Sequence, residues 1–397
     1  MTAGTPTVDE GRVAASPGER VRFHVPYVTG NERAYIDEVF ENGHFAGNGP
    51  FTKRAQAWME ARWNVPHALL THSCTGALEL VAMVLDFGPG DEVVLPSFTF
   101  ISTATAFMRA GGKPVFCEID PETMTLDVED AERRITDRTK AIVAVHYGGV
   151  GADIEAVMAL GQKHGIAVIE DAAQGIEASR GGRLLGSIAP FACLSFHETK
   201  NVHCGLGGAL IVNDERYWDR VENIWERGTN RRKFHKGLVD KYSWVDLGSS
   251  FYPSELQAAF LLAQLEGIDA DLAARRKVWA RYHEALAPLE EAGHLRRPVV
   301  PSDCVSNHHN YWVRLRDGET ADRFRVFLGE RGVQAVIHYV PLHDSTMGSK
   351  LGYSRESLPI TASAADSLIR LPMHFSLTDR EVDRVLDGVE GFFAAAR

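Results

Sequence analysis

The segment SFHETKNVHCGLGGAL, Ser195–Leu210, puts a single lysine in a polar kink between two apolar stretches, with Cys193, His197, His203 and Cys204 close by. Residues of these types serve three chemistries. A P-loop requires Ser or Thr after its lysine and a helix opening there, but Asn201 follows Lys200. The dinucleotide fingerprint G-x-G-x-x-G meets Leu210 where its last glycine belongs, and these glycines lead into a strand pattern. A zinc site built from the two cysteines and two histidines has suitable donor atoms at no familiar spacing. The remaining chemistry is a covalent anchor, in which the lysine amine forms a Schiff base with a carbonyl. Taken alone, the segment reads first as ordinary structure, with Cys193 a core thiol, His197 a hydrogen-bonded strand-end residue and Lys200 a solvated loop charge.

Other strand ends change that balance, because ligands of open α/β sheets gather beyond the carboxyl ends of strands. IAVIED ends on Asp171, with Gln174 three residues on. HALLTH passes through Ser73, Cys74 and Thr75 into a helical pattern, whose free N–H groups and dipole suit a phosphate. EVVLPS leads to Phe98 and Phe100, which offer flat aromatic faces. An anion cradle, an aromatic cover, a strand-end carboxylate and a lone lysine together match the needs of pyridoxal 5'-phosphate (PLP).

The elements that must position these residues are legible from periodicity. Amphipathic patterns predict helices over 31–43 and 51–63, followed by a strand at HALLTH and a helix from about Gly76 to Phe87. EVVLPS, KPVFCEI, AIVAVHY, IAVIED, FACLSFH and GALIVND read as strands, with helices near 101–110 and 152–164. Short Val/Ile-rich strands alternating with helices predict a mostly parallel sheet covered on both faces. From about 254 to 290 the pattern is helical; NYWVRLR and QAVIHYV then read as strands, with helices at 320–331 and from Asp379. The expected organisation is a flexible N-terminus (1–20), a large α/β domain (21–265) and a smaller C-terminal α+β domain (266–397).

At 397 residues, 45% hydrophobic and 24% charged, the composition is that of a soluble globular chain. A net charge of −11 argues against nucleic acid or an anionic membrane as partner. Five cysteines form no regular framework and read as reduced thiols, and no apolar run approaches a membrane span. The expectation is a cytoplasmic protein.

ENGHFAGNGPFTK, SCTGALEL, LPSFTFISTATA, VHYGG, EDAAQG, SFHETKN, GLGGA and HYVPLH occur in the order found in one family. From about residue 22 onward the chain resembles the DegT/DnrJ/EryC1/StrS PLP-dependent nucleotide-sugar aminotransferases. SFHETKN, ERGTN and VDKYSWVDLGSS are most similar to the branch that aminates dTDP-4-keto-6-deoxyglucose at C4. The resemblance implies the aspartate aminotransferase-like fold of PLP-transferases (fold type I) and a homodimer with shared active sites. It implies L-glutamate as amino donor, 2-oxoglutarate as by-product and a dTDP-sugar as acceptor.

By the same resemblance, Lys200 carries the cofactor as an internal aldimine, Asp171 holds its pyridinium proton and Gln174 bonds its phenolic oxygen. Ser195, Cys74 and Thr75 bind its phosphate, and Phe100 stacks on its ring. Asn230 reaches the phosphate in the partner subunit's site. Lys241, Tyr242, Trp244, His338 and His343 are expected to lie near the sugar nucleotide, and the basic run from Arg231 to Lys236 offers arginines to its diphosphate. A lysine at 200 favours amination, since the branch that removes a hydroxyl at C3 has histidine there. A C3 aminotransferase and a non-catalytic sugar-responsive regulator are the alternatives. Leu206 stands where the family's glycine-rich turn usually carries glutamate.

Overall fold

The computed structural model describes residues 20–395, so the expectation for residues 1–20 falls, apart from Arg20, outside the described residues. Seven strands build the central sheet: β1 (Ala68–Thr71), β2 (Glu92–Pro96), β3 (Lys113–Cys117), β4 (Thr139–Val145), β5 (Ala167–Asp171), β6 (Phe191–Ser195) and β7 (Gly208–Val212). Their order is β1-β7-β6-β5-β4-β2-β3. β7 pairs antiparallel with both β6 and β1, and the other pairs are parallel. Six strands therefore point the same way, and their carboxyl ends share one edge.

Period-two alternation along each strand explains the burial of both faces. Leu69, Val93, Leu95, Val143, Ile169, Phe191 and Leu210 pack on one side, with the helices Cys74–Val84, Ser102–Arg109 and Trp218–Trp225. Their neighbours Ala68, Leu70, Ala192, Leu194 and Ile211 face Pro50–Trp63 and Glu255–Glu266 on the other side. Val94, Ile142, Ala144 and Val168 do the same against Ile154–His164.

After Gly267 the helix Ile268–Ala285 leads to an antiparallel pair, Tyr311–Arg314 with Leu368–Leu371, covered by Gly318–Glu330 and Asp379–Ala395. Tyr282, Tyr311, Val313, Phe324, Leu328, Ile369 and Val385 form that second core. Val21 belongs to it as well, since it bridges Val333, and Met373 N–H donates to Phe23 O. A buried ion pair braces the junction: Asp271 accepts Arg275 Nε at 2.8 Å, and Arg275 Nη1 donates to His309 O.

Two differences from the sequence reading have local causes. QAVIHYV forms no strand; only Val336 bridges Arg370, while the Ile337 carbonyl takes the Arg370 side chain and His338 turns inward. The helix Trp218–Trp225, absent from the sequence reading, buries Val221, Ile224 and Trp225 on one side. No described helix is long and apolar enough to cross a membrane.

Candidate active site

The loops at the shared carboxyl edge and the segment after β6 enclose a cavity of about 350 Å³. On one wall the helix Cys74–Val84 begins. Ser73 caps it by accepting the Gly76 N–H at 3.0 Å, and Thr75 donates its hydroxyl to Ser102 at 2.7 Å. β7 lies directly against this start: a Cβ on Gly208 would stand 2.3 Å from the Ser73 carbonyl carbon and 2.4 Å from Cys74 N. Only glycine allows the kinked segment to return into the sheet this close to the helix N-terminus. Ser195, the last residue of β6, lines the same wall.

Asp171 ends β5 in the cavity, 5% exposed. Burial raises its carboxyl above the ordinary value; the Thr103 hydroxyl (2.8 Å), the Ala173 N–H (3.1 Å) and the charge of Lys200 act the other way. Thr103 spends its only proton on Asp171, so Thr99 must donate to Thr103 across their 2.9 Å contact. A buried carboxylate held in this way suits a cationic ring nitrogen. Lys200 lines the cavity, and burial lowers its amine below the ordinary lysine value, with Cys74 and Asp171 opposing.

Gln174 is fixed at both ends, Oε1 accepting the Gly148 N–H at 2.8 Å and Nε2 donating to the Tyr339 hydroxyl at 2.9 Å. His146 is fully buried, and its Nδ1 accepts the Ala152 N–H, so its proton sits on Nε2 and is donated to Glu170 at 3.0 Å. Glu170 also accepts the N–H groups of Gly186, Ile188 and Ala189, which anchors the end of β5 beneath the cavity.

Of the residues singled out from sequence, Cys74, Thr75, Phe100, Asp171, Gln174, Ser195, Lys200 and His338 come together around this cavity. Phe100 is 55% exposed and stands at the rim. His338 bonds Tyr147 at 2.6 Å and stacks on Tyr339.

His343 does not join them. It is fully buried and captured by Ser97, whose Oγ lies 2.6 Å from Nδ1 and accepts the His343 N–H. Asn230, Lys241, Tyr242 and Trp244 also lie off this chain's cavity. Asn230 accepts the Ser243 N–H and donates to Lys241 O, closing its own loop. In the basic run, Arg232 pairs with Glu222 and Lys233 with Asp219. The histidines and cysteines of the opening segment disperse: His203 donates to Tyr27 O, His197 bonds Thr199, and Cys193 is in the core.

Thr103, His146, Asn310, Tyr339 and Arg370 line the cavity without having been singled out. Thr103 sits two residues into a helix, and its neighbour Thr99 ends the SFT motif, so a second hydroxyl one turn beyond a strand-end serine was the available signal. Asn310 opens the strand pattern NYWVRLR and Arg370 falls in a segment to which the sequence reading assigns no element, so neither gave one.

The DegT/DnrJ/EryC1/StrS aminotransferase family matches residues 26–390. A pleiotropic regulatory protein of Geobacillus stearothermophilus is 32% identical over 90% of this chain and 93% of its own. The dTDP-4-dehydro-2,3,6-trideoxy-D-glucose 4-aminotransferase of Saccharopolyspora spinosa is 31% identical, covering 92% and 95%. The crystal structure of S. venezuelae DesV, solved with a ketimine intermediate, superposes with a TM-score of 0.84 at 32% identity over 91% of this chain and 94% of that one. A lysine, a buried carboxylate and a helix start converging on one cavity are what such enzymes require, and the chain belongs to the DegT/DnrJ/EryC1/StrS family as a PLP-dependent sugar aminotransferase.

Proposed function

We propose that the protein transfers an amino group from L-glutamate to C4 of dTDP-4-keto-6-deoxy-D-glucose, giving a dTDP-4-amino-4,6-dideoxyhexose and 2-oxoglutarate. The observation that carries the amination is the convergence of Lys200, buried Asp171 and the Cys74 helix start on one cavity. The choice of C4 and dTDP rests on the SFHETKN segment and on the similarity to the S. spinosa 4-aminotransferase.

PLP, when bound, supplies an electron sink and an aldehyde that exchanges for an amine. The residues of the chain do the rest. Lys200 holds the cofactor covalently between turnovers. Once displaced, its Nζ, favoured as the free amine by burial, takes the proton from Cα of the donor and later delivers one to C4 of the sugar. Asp171 would keep the ring nitrogen protonated, and the Thr99–Thr103 relay favours its ionised form against the opposing effect of burial. Gln174 holds the phenolic oxygen; the N–H groups of Cys74 and Thr75 and the Ser195 hydroxyl hold the phosphate. Phe100 covers the ring.

Segment 230–247, with exposed Leu238, Tyr242, Trp244 and Leu247, is read as covering the second site of a homodimer, where Asn230 would meet the phosphate. The small C-terminal domain is read as starting after residue 265, and the enzyme as cytoplasmic.

The test incubates holoenzyme with L-glutamate and dTDP-4-keto-6-deoxyglucose, follows 2-oxoglutarate and assigns C4 by NMR coupling constants. Lys200→Ala should abolish both product and the cofactor's visible absorption band. Amination at C3, or of only GDP- or UDP-linked ketosugars, would sink the dTDP C4 assignment. The G. stearothermophilus relative favours a regulator as second reading; single-turnover amination by the wild type excludes it.

A further inference from the structure

Lys200 sits in a loop, Ser195–Gly207, that leaves the sheet at the end of β6 and re-enters it as β7. Most hydrogen bonds of this loop close on itself. The Lys200 N–H donates to His197 O at 2.9 Å, the Glu198 N–H donates to Gly205 O at 2.9 Å, and the Thr199 hydroxyl lies 3.0 Å from His197 Nδ1. Such bonds give the loop its shape but do not place it on the molecule. Val202 is buried in the core, whereas Glu198 and Thr199 are exposed.

Among the described residues, the bonds from His197–Cys204 that reach beyond the loop end on His24, Tyr27, Asn307 and His309. After the lysine, Asn201 Nδ2 donates to Asn307 O at 3.0 Å, so its Oδ1 accepts the Nδ1 proton of His309 at 2.8 Å. His203 Nε2 donates to Tyr27 O at 2.7 Å. From His197 to Lys200 itself there is one such bond, in which His24 Nε2 lies 2.8 Å from Glu198 O. A carbonyl can only accept, so His24 carries its proton on Nε2. Burial lowers this imidazole to about 4, which leaves it neutral at physiological pH.

His24 is held on both sides. Val21 bridges Val333, the Phe23 N–H donates to Gln334 Oε1 at 3.1 Å, and the Met373 N–H donates to Phe23 O at 3.1 Å. Beyond it the Tyr27 ring packs on Phe375, with centroids 3.9 Å apart. Residues 21–27 thus run as a strap from the C-terminal core along the cavity wall. Its histidine reaches the backbone two residues before the lysine.

We infer that His24 is a positioning residue for Lys200, its Nε2–H pinning the Glu198 carbonyl so that the lysine amine keeps one place in the cavity. This rests on the reading of Lys200 as cofactor anchor and proton carrier. It adds a residue remote in the chain on which that anchor depends. His24 also lines the cavity, where its Nδ1 could instead accept from a sugar hydroxyl, so the test has to separate positioning from substrate contact.

The experiment compares wild-type holoenzyme with His24→Phe, which keeps a ring and removes the donor, and with His24→Gln and His24→Asn, which keep an N–H. It reads the pH midpoint of the cofactor's visible absorption band, both half-reactions under single-turnover conditions, and the thermal midpoint. Burial lowers the proton affinity of the Lys200 nitrogen, so loosening the loop should restore part of it. His24→Phe is expected to move the band midpoint to higher pH. It should also slow both half-reactions at saturation by about tenfold or more, since a misplacement on the order of 1 Å costs about 100-fold. The concentrations of glutamate and sugar nucleotide giving half-maximal rate should hold. At least one of the two amide variants should recover both rate and midpoint.

Weakened sugar binding with an unmoved band midpoint would make His24 a substrate contact and overturn the inference. A lowered thermal midpoint with an unmoved band, or no recovery by either amide variant, would overturn it as well. If Lys200→Ala leaves the visible band in place, the anchor reading fails and the inference with it. A His24-dependent band midpoint in an enzyme that aminates no dTDP-sugar would uphold the positioning role and reject the proposed function instead.

Discussion

Thr103→Val tests the electrostatics of the cavity with little change in shape. Thr103 is fully buried, and its hydroxyl donates to Asp171 Oδ2 at 2.8 Å while accepting from Thr99. Valine fills nearly the same volume but leaves Oδ2 with no donor and Thr99 with no acceptor. Burial is the largest influence on Asp171 and raises its carboxyl, so in the cofactor-free protein the ionised form opposes folding. That cost is present above the raised folded value and disappears as pH falls below the ordinary carboxylate value. The Thr103 bond offsets part of it only while the carboxyl is ionised. A hydrogen bond to a charged group contributes about 1.5–3 kcal/mol and one between neutral groups about 0.5–1.5. Apo Thr103→Val should therefore lose about 1.5–3 kcal/mol at pH 7.5 and less near pH 4, read by urea unfolding at one fixed protein concentration. In the holoenzyme the acid limb of the single-turnover rate should move to higher pH, because Asp171 protonates earlier. An equal loss at both pH values with an unmoved acid limb would refute the assigned role of the relay.

Gly208→Ala would drive a methyl into the Ser73–Cys74 backbone, an overpacking of about 1–3 kcal/mol, and should weaken PLP binding in an apoenzyme titration. An unchanged PLP affinity would mean that the phosphate is held away from this helix start. Glu170→Gln sets an NH2 against the N–H groups of Gly186, Ile188 or Ala189, or against the His146 Nε2 proton. At least one buried donor loses its acceptor, so the thermal midpoint should fall by the equivalent of about 1–3 kcal/mol or more; a midpoint within error of wild type contradicts the assigned role of Glu170 as the shared acceptor of these N–H groups.

The cavity residues that were legible in the sequence share one property: they sit at the carboxyl ends of strands, where an apolar run breaks into Gly, Ser, Thr or Asp. Lys200, Asp171, Gln174 and Ser195 all follow this rule, and an open parallel sheet sends every such end to one edge. His343 shows its limit. HYVPLH contains two histidines of similar surroundings, and only the packing of residue 342 against Ser97 decides that His338 faces the cavity while His343 is locked away. The helix Trp218–Trp225 escaped because its eight residues, WDRVENIW, show the burial side through only two turns.

What the sequence by itself determined is the local chemistry: a parallel sheet, a helix start beside it, and a lysine freed from regular structure by the glycines that follow. Arg370 and Asn310 were decided only by tertiary structure. NYWVRLR, which opens on Asn310, reads as an ordinary strand, and the sequence reading assigns no element to SLIRLPMH. The register Trp312↔Arg370 and the seating of that strand pair over the carboxyl edge of a different sheet turn both residues inward. Strand periodicity assigns a residue to a face, but which face meets water depends on what is packed against it, and here the covering element lies about two hundred residues away in the chain.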